Sequence, residues 1–247
     1  MKKILIFLFS LQIAVVYSQD GNLDLTKSYS QGYGVIGLNA SGMMESYDAT
    51  GKRIPSNNQI VSGNKMLSND FVFGVVKLKD QENKVSLLVN FSLYNNLLLF
   101  KKDSLMLTFA NPVEEFSMLV KEEGINKAMT FKSGYPKIGT NTESSFYQVV
   151  TDGPKIQLLK YIYKTVQDKF SYNGPVQREY AYRENFYLYD AVKKTITEIK
   201  PSVKSISKSN PELTASIERY AIQNKVKNEE DLKGWVVSLN ENNTNKK

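Results

Sequence analysis

The sequence predicts an α+β fold that is mostly antiparallel β, a curved meander sheet or open barrel with two short C-terminal helices. From Phe71 onward, short runs of β-branched and aromatic residues recur at spacings of roughly 8 to 12 residues with polar turns between them, which is typical of an antiparallel meander. After Pro201 the apolar spacing changes to that of amphipathic helices. With 247 residues, the chain is long enough to bury a substantial core.

The beginning of the chain has the features of a secretory signal peptide. Lys2 and Lys3 precede an apolar run that starts at Ile4, and a small-residue pattern ending at Ser18 marks a cleavage site. We therefore predict that residues 1–18 are removed on export. No later stretch reaches the ~18 consecutive apolar residues of a membrane-spanning helix, so we expect no transmembrane segment in the mature chain.

Composition divides the remaining chain into four parts. Residues 19–62 are polar and glycine-rich, which predicts a loosely ordered N-terminal arm. We expect the antiparallel β domain over residues 63–200, helices that pack on the sheet over residues 201–240, and a frayed tail over residues 241–247.

The stretch KMLSNDFVFGVVKL, residues 65–78, contains the first predicted strand of this domain. Phe73 and Val75 fall on one side of its two-residue period, and Val76 and Leu78 fall on the other. Because both sides are apolar, we expect this strand to be buried on both faces.

The meander continues through further short apolar runs separated by polar turns. Asp152-Gly153 is a typical hairpin turn, in which we expect Gly153 to adopt a positive φ. The later runs, in chain order, are VSLLVNF, LYNNLLLF, LMLTFA, VEEFSMLV, AMTFK, FYQVVT, IQLLKYIYK, REYAYRENFYLYD and TITEIK.

Two helix starts follow the strands. Asn210, Pro211 and Glu212 combine a capping residue, a proline at the first helical position and an acid in the first turn. Asn228 precedes a second acidic first turn. The second helix has an apolar stripe at helical spacing, formed by Leu232, Trp235, Val236 and Leu239.

Several short motifs resemble those of an uncharacterised family of exported Bacteroidetes proteins. Residues 63–71, followed by Gly74 and Val76, are similar to the Gly-Ser-Pro-Tyr-Leu-Asn-type box of that family, although the Ser-Pro-Tyr portion is missing. Further similar stretches are residues 91–101, 153–160, 186–188 and 220–232. The resemblance implies an exported, mostly β protein with C-terminal helices and without assigned catalytic residues.

Composition also excludes several chemistries. The chain has no histidine and no cysteine, which rules out nucleophile–histidine catalysis and histidine- or cysteine-based zinc sites. Glu114, Glu115 and Asp70 are the nearest approach to the paired acids of a glycosidase, but strand neighbours such as Glu114 and Glu115 point to opposite faces. We therefore predict no enzyme activity, no cofactor and no metal site.

Four tyrosines are candidate contacts for a ligand or partner. Tyr161 and Tyr163 share one strand face, Tyr180 and Tyr182 share another, and the two strands are candidates for neighbours across a loop at residues 173–175. Such rings can stack on sugars or line a cleft. Cross-strand aromatic pairs also stabilise sheets without any ligand, so both interpretations stay open.

The leading functional prediction is an exported, non-enzymatic envelope protein, periplasmic or on the cell exterior, that acts by binding or assembly through its sheet. Its predicted partner is an envelope protein or a glycan and not nucleic acid, because the net charge of +7 is spread thinly along the chain. The triplet Asp103-Ser104-Leu105 resembles an O-glycosylation acceptor on a predicted turn.

Two alternatives remain. A carrier of an apolar ligand such as a lipid would need a cavity of roughly 300 Å³ or more. A carbohydrate-active hydrolase would need two buried carboxylates facing one cleft. The predicted lining of the carrier cavity is Phe71, Phe73, Leu87 and Val89.

Overall fold

The computed structural model divides the chain into two compact units, residues 1–59 and 60–247. It describes residues 35–38, 44–47, 53–54, 61–79, 81–103, 105–122, 124–169 and 177–244. In the first unit, three short strands form an antiparallel sheet in chain order. They are β1 (Val35–Leu38), β2 (Met44–Tyr47) and β3 (Arg53–Ile54). Part of the predicted N-terminal arm is therefore strand, whereas the predicted signal peptide lies outside the described residues.

The second unit is built on one 11-stranded sheet. Its order is β14-β13-β12-β11-β10-β9-β5-β6-β7-β8, and β4 pairs in parallel with one end of β13. The strands are β4 (Val61–Ser62), β5 (Val72–Leu78), β6 (Lys84–Ser92), β7 (Leu97–Lys102), β8 (Leu105–Thr108), β9 (Val113–Glu122), β10 (Ile125–Lys132), β11 (Tyr147–Thr151), β12 (Ile156–Lys169), β13 (Gln177–Asp190) and β14 (Thr195–Ile199).

The predicted fold class is confirmed. Of the described residues, 51% lie in strands and 18% in helices, and the strands are mostly antiparallel. The longest hairpin joins β12 to β13 in unbroken register from Ile156–Asp190 to Lys169–Gln177, so the two tyrosine-bearing strands are neighbours, as predicted. The loop between them, residues 170–176, lies outside the described residues.

The sheet is open but curls toward one face. Four strands separate β6 from β12 in the sheet order, yet the Lys164 backbone N–H donates to the carbonyl of Leu93, directly after β6, at 3.1 Å. The Phe146 N–H donates to Asn96 Oδ1, in the same turn as Leu93, at 3.1 Å. We call the face enclosed by this curl the inner face and the opposite one the outer face.

An aromatic core fills the inner face of the curled strands. Four phenylalanines from β6, β9, β10 and the segment before β11 contact one another with ring centroids 4.8 to 5.8 Å apart. Such tilted and stacked pairs add about 0.5–1.5 kcal/mol each beyond the burial of their area. These rings belong to Phe91, Phe116, Phe131 and Phe146.

The helices cover the inner face at the other end of the sheet. They pack on Ile156, Leu158, Phe186 and Leu188 and bury Trp235 completely. Among the described residues there are three α-helices and one 3-10 turn, where two helices were predicted. They are α1 (Val203–Ser209), the 3-10 turn Pro211–Leu213, α2 (Thr214–Ala221) and α3 (Glu229–Thr244), which extends into the predicted frayed tail.

Both predicted helix starts are confirmed, and one of them has a side-chain cap. Asn228 Oδ1 accepts the Asp231 N–H at 2.9 Å, which caps α3. Asn210 occupies the N-cap position before Pro211, with Glu212 in the first turn, as predicted, but its side chain makes no capping bond. The Leu213 N–H is instead satisfied by the backbone carbonyl of Asn210 at 2.9 Å. None of the helices in the described ranges combines the length and apolar composition of a membrane span.

Gly153 shows a second difference from the sequence prediction. It does not have the positive φ expected of a hairpin glycine. A Cβ at this position would instead clash with the Asn240 side chain of α3. The Asn240 side chain makes two hydrogen bonds to the backbone of Ile156, the first residue of β12. Its amide nitrogen donates to the Ile156 carbonyl at 2.9 Å, and its oxygen accepts the Ile156 N–H at 3.2 Å. The glycine is thus required by helix packing.

Candidate functional site

The outer face of β5, β6 and β9 carries exposed apolar side chains. Phe73 is 73% exposed and Val75 is 41% exposed, whereas Val76 and Leu78 on the inner side of β5 are 0% and 5% exposed. The prediction that β5 is buried on both faces is therefore wrong. The aromatic core and the helices both lie on the inner face, so the outer side chains of β5 face solvent.

Cross-strand register makes these exposed side chains contiguous. Phe73 lies directly opposite Leu88 on β6. Val75 lies opposite Ser117 on β9, and Leu119 follows two residues later on the same face. Leu88 is 37% and Leu119 46% exposed. We call Phe73, Val75, Leu88 and Leu119 the apolar strip.

Exposed lysines flank the apolar strip. Lys101 lies directly opposite Leu88 on β7, and Lys121 follows Leu119 by two residues on β9. Within the described ranges, neither lysine has a carboxylate within ion-pair distance. A chemical group that covers the strip would therefore meet an apolar centre bordered by positive charge.

The nearby acids are held in ion pairs. Lys77 Nζ lies 2.8 Å from Glu114, and Glu115 lies 2.8 Å from Lys84 and 3.5 Å from Lys132. Burial alone would raise the pKa of Glu115, but hydrogen bonds and attraction from Lys84 and Lys132 lower it overall. A glycosidase acid needs a raised pKa, so Glu115 is unsuited to that role.

The other half of the outer face is covered by a tyrosine cluster. Residues 135–141 pack on this face and bring Tyr135 within 5.5 Å of Tyr147 and 4.9 Å of Tyr189, measured between ring centroids. Tyr147 is 0% exposed, and its hydroxyl accepts the Asn141 amide at 3.0 Å. Burial raises the pKa of Tyr147 to about 12. The cluster comprises Tyr135, Tyr147, Tyr161, Tyr163, Tyr187 and Tyr189.

The four candidate tyrosines do not form one surface. Because Lys164 pairs with Tyr182 while Tyr163 pairs with Arg183, the register places Tyr161 and Tyr163 on the outer face and Tyr180 and Tyr182 on the inner face. The rings of Tyr161 and Tyr163 stack at 5.3 Å within the tyrosine cluster.

The inner-face pair has separate surroundings. Tyr180 meets Tyr94 edge-on at 5.3 Å, and Tyr182 donates to Glu184 at 3.1 Å. The four tyrosines therefore form two separate pairs on opposite faces, and their role as ligand or partner contacts stays a prediction.

A cavity of about 230 Å³ lies on the inner face between the aromatic core and the helices. Polar and apolar side chains share its wall. The predicted lipid-cavity residues are not among them, since Phe73 is exposed and Val89 is 0% exposed in the core. The cavity is lined by Leu67, Leu93, Val120, Lys121, Glu122, Met129, Gln148, Lys160, Ile162, Lys164 and Tyr182.

Sequence reasoning missed the polar part of this wall. Lys160 and Lys164 share the inner face of β12 with Ile156, Leu158 and Ile162, so two lysines interrupt an otherwise apolar alternation. That interruption is a signal that the sequence does contain, because a buried charge requires compensation.

Two further expectations bear on other sites. Ser104, the centre of the predicted glycosylation triplet, lies outside the described residues. Across the residues that the structure describes, no group of three or more acidic, histidine or cysteine side chains is placed to hold a metal ion.

Comparison with known proteins finds no matching family model, no matching curated protein and no matching solved structure.

Proposed function

We propose that this protein is an exported, non-enzymatic protein of the bacterial envelope that binds a partner protein through the apolar strip. The exposure of Phe73, at 73%, is the observation that carries the proposal. Contiguous exposed apolar side chains on a folded domain mark interaction surfaces. Aromatic residues in such a patch contribute a large share of binding energy.

The flanking charges define the chemistry of the partner. Lys101 and Lys121 border the apolar strip without carboxylate partners among the described residues. A complementary surface has an apolar centre and acidic residues at its rim, because like charges opposite these lysines would be repelled. Association through such a rim weakens with added salt.

Site-specific photo-cross-linking tests the proposal. A photoreactive phenylalanine analogue is placed at position 73, and a matched one at position 222, where Ile222 is 81% exposed away from the apolar strip. After irradiation in the native envelope, we expect one discrete protein adduct from position 73 and none from position 222. Equal adduct patterns from both positions, or none from either, would contradict a specific protein interface.

A pair of matched variants tests whether the cross-link from position 73 depends on the apolar strip. Leu119→Asp places a negative charge inside the apolar strip and beside the partner's expected acidic rim, so we expect it to abolish the adduct from position 73. Leu105→Asp is the control, because Leu105 is 44% exposed on β8 and lies outside the strip. An adduct that survives Leu119→Asp would indicate a different contact surface.

Export is a separate part of the proposal. The basic start, the short apolar run and the resemblance to an exported Bacteroidetes family all support it. N-terminal sequencing of the protein from the native envelope should yield a chain that begins at Gln19. A chain that retains Met1 in that fraction would contradict processing of a signal peptide.

A further inference from the structure

The inner-face cavity forms a second site, on the opposite face of the sheet from the apolar strip; Lys121 borders both. We propose that it binds a small carboxylate that has a short apolar chain and a hydroxyl group. Three features of the wall support this ligand class: an unpartnered buried amide oxygen, a lysine without an acidic partner, and an apolar floor.

Gln148 supplies the amide oxygen. The residue is 6% exposed, and its Oε1 atom has no hydrogen-bond partner among the described residues. An unsatisfied buried acceptor costs about 1–3 kcal/mol relative to a satisfied one. A ligand hydroxyl that donates to Gln148 Oε1 would satisfy this acceptor.

Lys164 supplies the positive charge. Its Nζ atom donates to the carbonyl oxygens of Asn64 at 2.5 Å and Met66 at 3.0 Å. These carbonyls satisfy donors but do not neutralise the ammonium, and within the described ranges no carboxylate lies within ion-pair distance of it. Burial lowers the pKa of Lys164.

The other charged groups at the cavity fix the orientation of the ligand. Lys160 Nζ is held by Glu229 at 2.6 Å, and Glu122 lies 3.3 Å from Lys127 at the exposed rim. A ligand carboxylate would be repelled by Glu229 and Glu122. It is therefore directed to Lys164, because Lys121, the other lysine at the wall without a carboxylate partner in the described ranges, belongs by strand alternation to the outer face.

The apolar floor and the volume limit the size of the ligand. Leu67, Leu93, Val120, Met129 and Ile162 form the apolar part of the wall. The volume of about 230 Å³ is below the ~300–1,000 Å³ of sites for drug-sized ligands. A chain of a few carbons fits this description, whereas a long-chain lipid does not.

Titration calorimetry with three matched probes tests the inference on the purified protein. The probes are 3-hydroxyhexanoate, hexanoate and hexan-1-ol. We expect hexanoate to bind about tenfold or more tightly than hexan-1-ol, because a hydrogen bond to a charged group is stronger than a neutral one. The added hydroxyl should improve affinity by about two- to tenfold.

Two variants separate the contributions of Lys164 and Gln148. Lys164→Gln should weaken hexanoate binding by about tenfold or more and leave hexan-1-ol unchanged. Gln148→Met keeps the approximate volume and should remove only the preference for the hydroxyl probe. Lys169→Gln is the control, since Lys169 is an exposed lysine on the same strand that does not line the cavity.

Equal affinity of the wild-type protein for hexanoate and hexan-1-ol, or no binding of any probe, would overturn the inference. Unchanged hexanoate affinity in folded Lys164→Gln would do the same. If Lys164→Gln fails to fold because Asn64 and Met66 lose their donor, the wild-type probe series and Gln148→Met still decide the outcome.

Discussion

The two halves of the outer face differ in whether other parts of the chain cover their side chains. Over β11, β12 and β13, the segment of residues 135–141 packs on a tyrosine cluster whose Tyr147 is 0% exposed. Over β5, β6 and β9, the outer side chains are phenylalanine, valine and leucine, and Phe73 is 73% exposed. A segment of the same chain therefore packs over one half of the outer face, whereas the side chains of the other half are exposed to solvent.

Side-chain chemistry matches this difference. Tyrosine combines an apolar ring with a polar hydroxyl group. In the covered half, hydroxyl groups of the cluster form hydrogen bonds between the sheet and the segment that packs on it. Tyr135 donates to Gln157 at 3.0 Å, and Tyr147 accepts from Asn141 at 3.0 Å. The apolar strip itself has no polar groups to pair, so a surface that covers it gains about 25 cal/mol per Å² from burial, and polar contributions come only from flanking residues such as Lys101 and Lys121.

Equivalent truncations in the two halves should have the most unequal effects. Tyr147→Ala should lower the free energy of unfolding by about 3–5 kcal/mol, because it leaves a cavity in the cluster. Phe73→Ala should change it by less than about 0.5 kcal/mol, because the ring is exposed. Urea denaturation of both variants measures the difference. Similar losses in both would show that the two halves are equally part of the folded core.

Alkaline pH should act on the covered half. Burial, with smaller contributions from Tyr187, Tyr161 and Glu198, raises the pKa of Tyr147 from 10.0 to about 12. The contribution of the Tyr147 hydroxyl to the free energy of unfolding is fully present below pH ~10. It is lost as the pH rises toward ~12, because the unfolded chain releases this proton at a lower pH than the folded protein does. Denaturant titrations across this range should show that loss, and Tyr147→Phe should make it shallower. If the free energy of unfolding of Tyr147→Phe falls with pH as steeply as that of the wild type, Tyr147 does not contribute to the loss of stability at alkaline pH.

Removing one of these hydroxyl hydrogen bonds should have a smaller effect. Tyr135→Phe deletes the bond to Gln157, and we expect a loss of about 0.5–1.5 kcal/mol in urea denaturation. Tyr182→Phe is a useful control, because Tyr182 is 47% exposed and donates to the exposed Glu184. Its expected loss is below about 0.5 kcal/mol, and a loss equal to that of Tyr135→Phe would argue against buried hydroxyl groups as the stabilising feature.

Polar substitution in the apolar strip should leave stability nearly unchanged. Leu119→Ser removes an apolar side chain that is 46% exposed, so we expect a change within about 0.5 kcal/mol in the free energy of unfolding. Solubility should increase, because the exposed apolar area is smaller. A loss of several kcal/mol would place Leu119 in the core.

Local patterns in the sequence predicted the strands well because period-2 alternation and turn residues act over a few positions. The hairpin partnership of β12 and β13 and the Asn228 cap were predictable for that reason. The reason for Gly153 was not, because it depends on Asn240, which lies on a helix far along the chain. Helix α1 lies inside the predicted helical region of residues 201–240 but was not counted as a separate helix, since VKSISKS has one buried residue, Ile206, and little apolar periodicity.

The candidate site was harder to predict than the fold. Alternation assigns Phe73 and Val76 to opposite faces, but which face is covered depends on where the sheet curls. The tyrosine pairs were assigned to their strands correctly, while their faces depend on the register in which Tyr163 meets Arg183. The unpartnered amide of Gln148 likewise arises only when distant strands enclose it.

Cysteine labelling in the native envelope tests the central claim most directly, because the chain has no cysteine of its own. Phe73→Cys and Ile222→Cys are each exposed to a maleimide reagent in the purified protein and in intact envelopes. We expect both thiols to react in the purified protein, and only the thiol at position 73 to be protected in the envelope. Equal reactivity at position 73 in both settings would contradict the apolar strip as a partner surface.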